Sequence, residues 1–224
     1  MIVTAANDSM CVDVPESART LDGFREWAAS SSFPDCGRIT YFRQGIFLDM
    51  SPEKANQHND VKTEIARVLG NLVKDRNLGK LHGDGLWVTN DQADLSNEAD
   101  ATFNLWESLE TGRIQLVTSP DDDDGIEMRG SPDWVLEVVS NSSERKDTVW
   151  LPDAYHAAAV REYWLVDARG EQIDFTLHVW RPEGFEIIQP DNDGWRKSEV
   201  FNCIVCLDRE RDRIGGWTYE LLIR

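Results

Sequence analysis

Basic residues are scarce in this chain. Its 224 residues hold 23 Lys and Arg against 41 Asp and Glu, a formal net charge of −18. A surplus of that size slows the encounter with any polyanion and weakens its binding, although a local basic groove remains compatible with it. Long apolar runs are missing too. Nothing approaches the roughly 20 apolar residues of a membrane-spanning helix, so a span is excluded. The first twenty residues, MIVTAANDSMCVDVPESART, lack the basic start and apolar stretch of a secretion signal. A cytoplasmic protein with no membrane partner is expected.

Cysteine is limited to Cys11, Cys36, Cys203 and Cys206. The CIVC stretch has the spacing of half a zinc site, but no second pair completes it. VFNCIVCLD looks like a strand, which would aim Cys203 and Cys206 at opposite faces. Buried reduced thiols are expected instead of zinc ligands.

What the chain does have is a core. Hydrophobic residues make up 41%, with nine Trp and eight Phe, which argues for a folded globular protein. Trp150 and Trp180 are expected in that core. No repeat or low-complexity linker interrupts the sequence, so residues 1–224 read as one domain.

ARTLDGFREWAASS gathers Leu21, Phe24, Trp27 and Ala28 on one helical face. GRITYFRQGIFLDM reads as a hairpin turning at Gln44-Gly45. His58, Val61, Ile65, Val68 and Leu72 recur at helical spacing, and Gly79 is the expected stop. Strands follow in KLHGDGLWVTN and NEADATFNLW. SPDDDDGIEMRGSP reads as a loop, its Asp121–Asp124 run a solvated acidic surface. DWVLEVVS is the strongest strand, and a helix follows it, with Pro152 either in its first turn or breaking it. REYWLVD is a second buried strand, IDFTLHVWRPEGFEIIQP a hairpin, and EVFNCIVCLD a further strand. The order describes an α/β domain with a mixed sheet.

Two acids stand out. Asp133, Val135, Glu137 and Val139 share one face of the DWVLEVVS strand. Asp133 sits at the strand entry, where solvent or a helix end accommodates it. Glu137 sits in the middle, where an unpaired charge costs several kcal/mol. One account is a structural ion pair. The other draws on Asp100 in NEADATF: two carboxylates on adjacent strands converge on a hard divalent cation such as Mg²⁺, with the Val138 carbonyl as a third ligand. Such a cation activates water and stabilises charge on a phosphodiester. His58 shares the helix stripe with Ile65 and is read as a hydrogen-bonded core residue before a ligand.

The segment GSPDWVLEVVSNSSERKDTVWLPDAYHAAAVREYWLVD closely resembles the signature of the bacterial Uma-type restriction-endonuclease family, part of the PD-(D/E)XK nuclease superfamily. The matching positions are Pro132, Asp133, Glu137, Val138, Ser140, Ser143, Asp147, Tyr155 and the block from Glu162 to Asp167. Upstream, FLDMSPEKANQHN and EADATF are similar to further family stretches, and the resemblance spans about residues 38–208. It implies an αβββαβ restriction-endonuclease-like core with a mixed sheet flanked by helices and extra strands. It also implies Mg²⁺- or Mn²⁺-dependent hydrolysis of DNA, with Asp100 and Glu137 as the motif acids. Superfamily members often dimerise to cut both strands, so a homodimer is one expectation, although no interface is legible.

The chain departs from the pattern at its lysine. Two residues after Glu137 stands Val139, and the family's alternative lysine position, four before the tyrosine, is Leu151. Lys146 and Arg145 are the nearby cations that could substitute, and Lys146 is taken as the catalytic candidate. Three readings therefore stay open: an active metal-dependent endonuclease, a degenerate member acting as a binding or interaction module, or a hydrolase of a smaller phosphate ester.

Overall fold

Strict alternation along one strand organises this structure, a computed structural model that describes residues 2–4, 11–35, 37–52, 54–119 and 122–224, with backbone only at 2–4, 11, 119, 122 and 123. Cys36 and Asp121 lie outside the described residues, as do the side chains of Cys11, Asp122 and Asp123.

The first half of the chain carries β1 (Ile2–Thr4), β2 (Cys11–Asp13), α1 (Leu21–Ala28), β3 (Arg38–Phe42), β4 (Gly45–Asp49), α2 (Asp60–Arg76), β5 (Gly79–His82), β6 (Trp87–Asn90), β7 (Leu95–Glu98), β8 (Ala101–Leu105) and α3 (Trp106–Glu110). The second half carries β9 (Ile114–Ser119), β10 (Asp122–Gly130), β11 (Trp134–Val138), α4 (Leu151–Ala157), β12 (Glu162–Asp167), β13 (Asp174–Arg181), β14 (Gly184–Ile187), β15 (Arg196–Ser198), β16 (Cys203–Arg211) and β17 (Trp217–Ile223).

One six-stranded sheet runs β14-β13-β12-β11-β8-β5 and another runs β4-β3-β7-β6-β10-β9. Smaller sheets join β1 to β2 and β15, β16 and β17 to one another. In the first sheet β11 is parallel to β12 and antiparallel to β8, which is antiparallel to β5. With α2 before β5 and α4 between β11 and β12, the order α2-β5-β8-β11-α4-β12 is the expected αβββαβ core. No helix among the described residues is long and apolar enough to cross a membrane.

β11 is buried throughout. Trp134, Leu136 and Val138 pack with α2 residues Val61, Ile65 and Leu69 and with Phe201, Val205 and Leu221 of the C-terminal segment. Val135 faces the other way, into a cluster with Leu151, Ala154 and Tyr155 of α4. Glu137 shares the face of Val135 by strand periodicity. It is therefore presented to α4, away from the Trp134 core.

Several sequence expectations shift. The β3–β4 hairpin turns at Arg43-Gln44, both with positive φ (46° and 65°), and Phe42 pairs with Gly45. That is a two-residue turn of the kind whose twist suits a hairpin. Helix α2 stops at left-handed Asn77 (φ 51°), while Gly79 already opens β5. The acid-rich segment read as a loop is strand β10, paired with β6 and β9, and Asp124 in it is exposed. Backbone pairing overrode its poor strand propensity. Trp150 and Trp180 are half-buried instead of core. Cys203 is buried and Cys206 half-buried on opposite faces of β16, both free thiols, so the zinc half-site finds no support.

Asp133 has a structural post. Fully buried, it accepts hydrogen bonds from the Leu105 N–H (2.8 Å) and Ser108 hydroxyl (2.9 Å) at the start of α3, with Arg161 3.1 Å away. Asp133→Ala strands those donors and is expected to cost about 3 kcal/mol. Asp133→Asn should lose less, because its carbonyl oxygen still accepts. Urea unfolding of the two variants checks this, and equal losses would contradict the donor account.

Candidate active site

The chain crosses from one large sheet to the other at residues 99 and 100, between β7 and β8. Asp100 donates its N–H to the Leu136 carbonyl (3.1 Å) and accepts the Val138 N–H on Oδ2 (2.6 Å). Its side chain thus extends the ladder just before β8 begins. Three basic side chains surround the carboxylate. Arg38 on β3 reaches Oδ1 at 2.6 Å, Lys62 on α2 lies 3.6 Å from the same oxygen, and His58 Nε2 lies 3.7 Å from Oδ2. Burial alone would raise the Asp100 pKa, but Arg38, His58 and Lys62 outweigh it and hold it low.

Glu137 has the opposite environment. Its Oε1 accepts the Tyr155 hydroxyl from α4 (2.6 Å) and the Asn97 amide from β7 (2.9 Å), and its Oε2 lies 3.6 Å from Lys146 Nζ. Burial pushes its carboxyl up to about 8; Lys146 opposes this, and Asp147 and Asp100 add to it. Two neighbouring carboxyls are thus driven apart, one firmly ionised and one readily protonated.

Lys146 is not the exposed loop lysine that its sequence context suggests. Its side chain is 5% exposed and lies 3.0 Å from Asp147 as well as beside Glu137. Burial pulls its pKa down, but those two carboxylates more than compensate, and the ammonium stays charged. Asp147 is itself anchored by the Ser143 hydroxyl. The backbone explains the placement. Lys146–Trp150 form a wide helical turn in which the Leu151 N–H bonds to the Lys146 carbonyl, five residues back. The wide turn stacks Lys146 above Leu151, so a charge four to five residues upstream projects from nearly the same side of the helix. Leu151 is fully buried in the core cluster with Val135 and Tyr155.

Asp100, Glu137, Val138 and Lys146 all line one cavity of about 330 Å³, together with Arg38 and His58. Val138 donates its N–H toward Asp100, and a strand residue points its N–H and C=O the same way. Its carbonyl therefore faces the open edge beyond β8. His58 is buried, as its core reading requires, and also reaches this cavity. Asp133 does not line it.

Comparison with known proteins identifies the family and the fold. A family model described as "Uma2: Putative restriction endonuclease" matches residues 21–207. The chain belongs to the Uma2 family. Curated proteins give no match. Among solved structures, one described as a putative nuclease belonging to DUF820 from Anabaena variabilis aligns with a TM-score of 0.59 at 19% identity, covering 82% of this chain and 90% of that one. That likeness establishes the shared fold.

Within this Uma2 chain, the donors suit a hard cation. Among the described residues no three His, Cys, Asp or Glu side chains gather as a ready-made cage. Two buried carboxylates and a backbone carbonyl offer oxygen alone, which fits Mg²⁺ or Mn²⁺, ions that keep waters in part of their shell. A protonatable Glu137 also fits, because a cation that displaces its proton supplies the charge that burial otherwise resists.

Sequence reasoning missed Arg38, Lys62 and Asn97, and it placed Tyr155 in the family pattern without its partner Glu137. Lys62 follows His58 by four residues and so shares its helix face. Arg38 and Thr40 alternate on β3, and both line the cavity. Those spacings were readable; the partner they face was not.

Proposed function

We propose that this Uma2 chain is a cytoplasmic, metal-dependent endonuclease that hydrolyses DNA phosphodiesters, acting as one nuclease-like domain. The observation that carries this reading is the meeting of Asp100, Glu137, the Val138 carbonyl edge and the buried Lys146 on one cavity. Asp100, Glu137 and Val138 would hold the cation, which supplies Lewis-acid stabilisation of phosphoryl charge and a more acidic water. Lys146 presents a fixed positive charge where a phosphate gathers negative charge, and it is already stripped of solvent. Tyr155 and Asn97 fix the Glu137 carboxylate by its Oε1 and leave Oε2 toward Lys146. In the metal-free chain that Lys146 is the counter-charge that offsets part of Glu137's burial.

The test is direct. Purified protein with Mg²⁺ or Mn²⁺ should cut plasmid or oligonucleotide DNA, and a chelator should stop it. No cleavage of any DNA form under either metal would leave the degenerate binding module as the better reading.

Arg38 supplies a second test. Its guanidinium sits on the carboxylate oxygen that a cation would share. Arg38→Met removes that competitor and raises the negative charge of the site by one. Mn²⁺ affinity by titration calorimetry is expected to tighten about tenfold, near 1.4 kcal/mol. Unchanged or weaker binding would place the cation away from Asp100.

A further inference from the structure

A second cavity of about 200 Å³ adjoins the catalytic one, and the two share Thr40, Phe47 and Lys146. Its remaining walls include Phe42, Trp150 and Leu151. Phe47 and Trp150 meet nearly edge to face, ring centroids 6.0 Å apart at 83°, and both are half-buried, so each keeps apolar surface open. The exposed Arg145 lies over the Trp150 ring, 5.5 Å from its centroid, and brings a positive charge to the rim. Leu151, at the position where the family resemblance expects a lysine, keeps the inner wall uncharged.

An occupant of this slot must be flat or compact and apolar-faced. It must also be attached to something anionic, because Lys146 stands at the boundary with the carboxylate site. A nucleobase joined through its sugar to a phosphate meets those conditions. Bases in a duplex are stacked on their neighbours and cannot enter an aromatic slot without leaving the stack. We propose that the slot takes an unpaired nucleobase next to the scissile phosphodiester, so that the substrate class is single-stranded DNA or a nucleotide extruded from a duplex. This rests on the nuclease reading above and narrows it. The charge of the chain points the same way. At a net charge of −18, binding driven by phosphate contacts is handicapped. Stacking on aromatic rings supplies affinity that does not depend on the protein's overall charge.

The experiment reads binding, separately from cleavage. The whole chain carrying Glu137→Gln is mixed, with Mn²⁺, with a single-stranded oligonucleotide and with its duplex, each containing 5-iodouracil. Expected results are tighter binding of the single strand, by about tenfold, and photo-crosslinks in the peptides holding Phe47 or Trp150. Adding Trp150→Ala should weaken single-strand binding about tenfold, whereas Trp150→Phe should recover most of it and guards against a folding artefact. Leu151→Lys should also weaken it, by charging the inner wall. Equal affinity for both forms with no effect at Trp150, crosslinks elsewhere, or no binding of either form would overturn the slot. Failure of the wild type to cut any DNA would instead overturn the nuclease reading, while a positive binding result would still stand.

Discussion

Glu137→Gln is expected to lower Mg²⁺- or Mn²⁺-stimulated DNA cleavage by about a thousandfold or more. The change keeps an oxygen to accept from Tyr155 and Asn97, so the fold survives while the anionic ligand disappears. A pH signature separates this from simple damage. In the metal-free wild type the carboxyl is pushed from 4.5 to about 8 by burial. Stability from the protonated form is thus fully present below about 4.5 and lost as pH rises through about 8. Gln never ionises, so the melting temperature of Glu137→Gln relative to wild type should climb from about pH 4.5 to about pH 8 in chelator and level off above that. Mg²⁺ should then close the gap by stabilising the wild type alone. Cleavage that survives in a clean Glu137→Gln preparation would sink the proposed site, and a pH-independent gap would contradict the protonated resting state.

Lys146→Met is expected to have the next largest effect, and on two readouts. Cleavage should fall by about a hundredfold to a thousandfold through kcat, because the lost charge acts on the developing phosphate and not on remote substrate binding. Metal-free stability should also fall by about 3 kcal/mol, since Glu137 and Asp147 lose their shared counter-charge inside the protein. Removing the cation drives both carboxyls up further. The stability loss should therefore shrink in acid, where they are protonated, and grow toward alkaline pH. Lys146→Arg should not restore full rate, because a planar fork cannot occupy the place of a compact ammonium without moving its neighbours. If Lys146→Met is less stable yet cleaves at the wild-type rate, Lys146 is only a counter-ion.

Much of this arrangement was written in local pattern. Continuous apolar residues around Glu137 marked β11, the spacing of Val61 and Ile65 marked α2, and the REYWLVD block marked β12. The candidate acids and Lys146 do meet on one cavity. What escaped was long-range. Asp122–Gly130 became a strand because β6 and β9 flank it, which no propensity in DDDDGIEMRG announces. Arg38 lies 62 residues from Asp100, and Asn97 lies 40 from Glu137. Periodicity assigns a side chain to a face but does not name the sheet packed against it. The environment of Lys146 was hidden for a related reason. A reading in regular α-helical steps counts back from Tyr155 to Leu151, whereas the extra residue in the wide turn carries the charge to Lys146.

That turn has a counterpart at Ala55–Asn59, which ends in the Asp60 N–H bonding to the Ala55 carbonyl and which carries His58. Both helical segments that bring a cationic or titratable side chain to the cavity thus hold one residue more than a regular turn needs. Each is a reserve of chain length. Deleting a single residue between Lys146 and Leu151 would convert the wide turn into a regular one and bring Lys146 four residues from Leu151 instead of five, still about one turn away on the same side of the helix. The helix would persist with its lysine still on the cavity side. Single-residue deletions at these two places therefore offer descendants of this sequence a way to shorten the chain without turning the cavity-facing residue away or disturbing the strands that carry the acids.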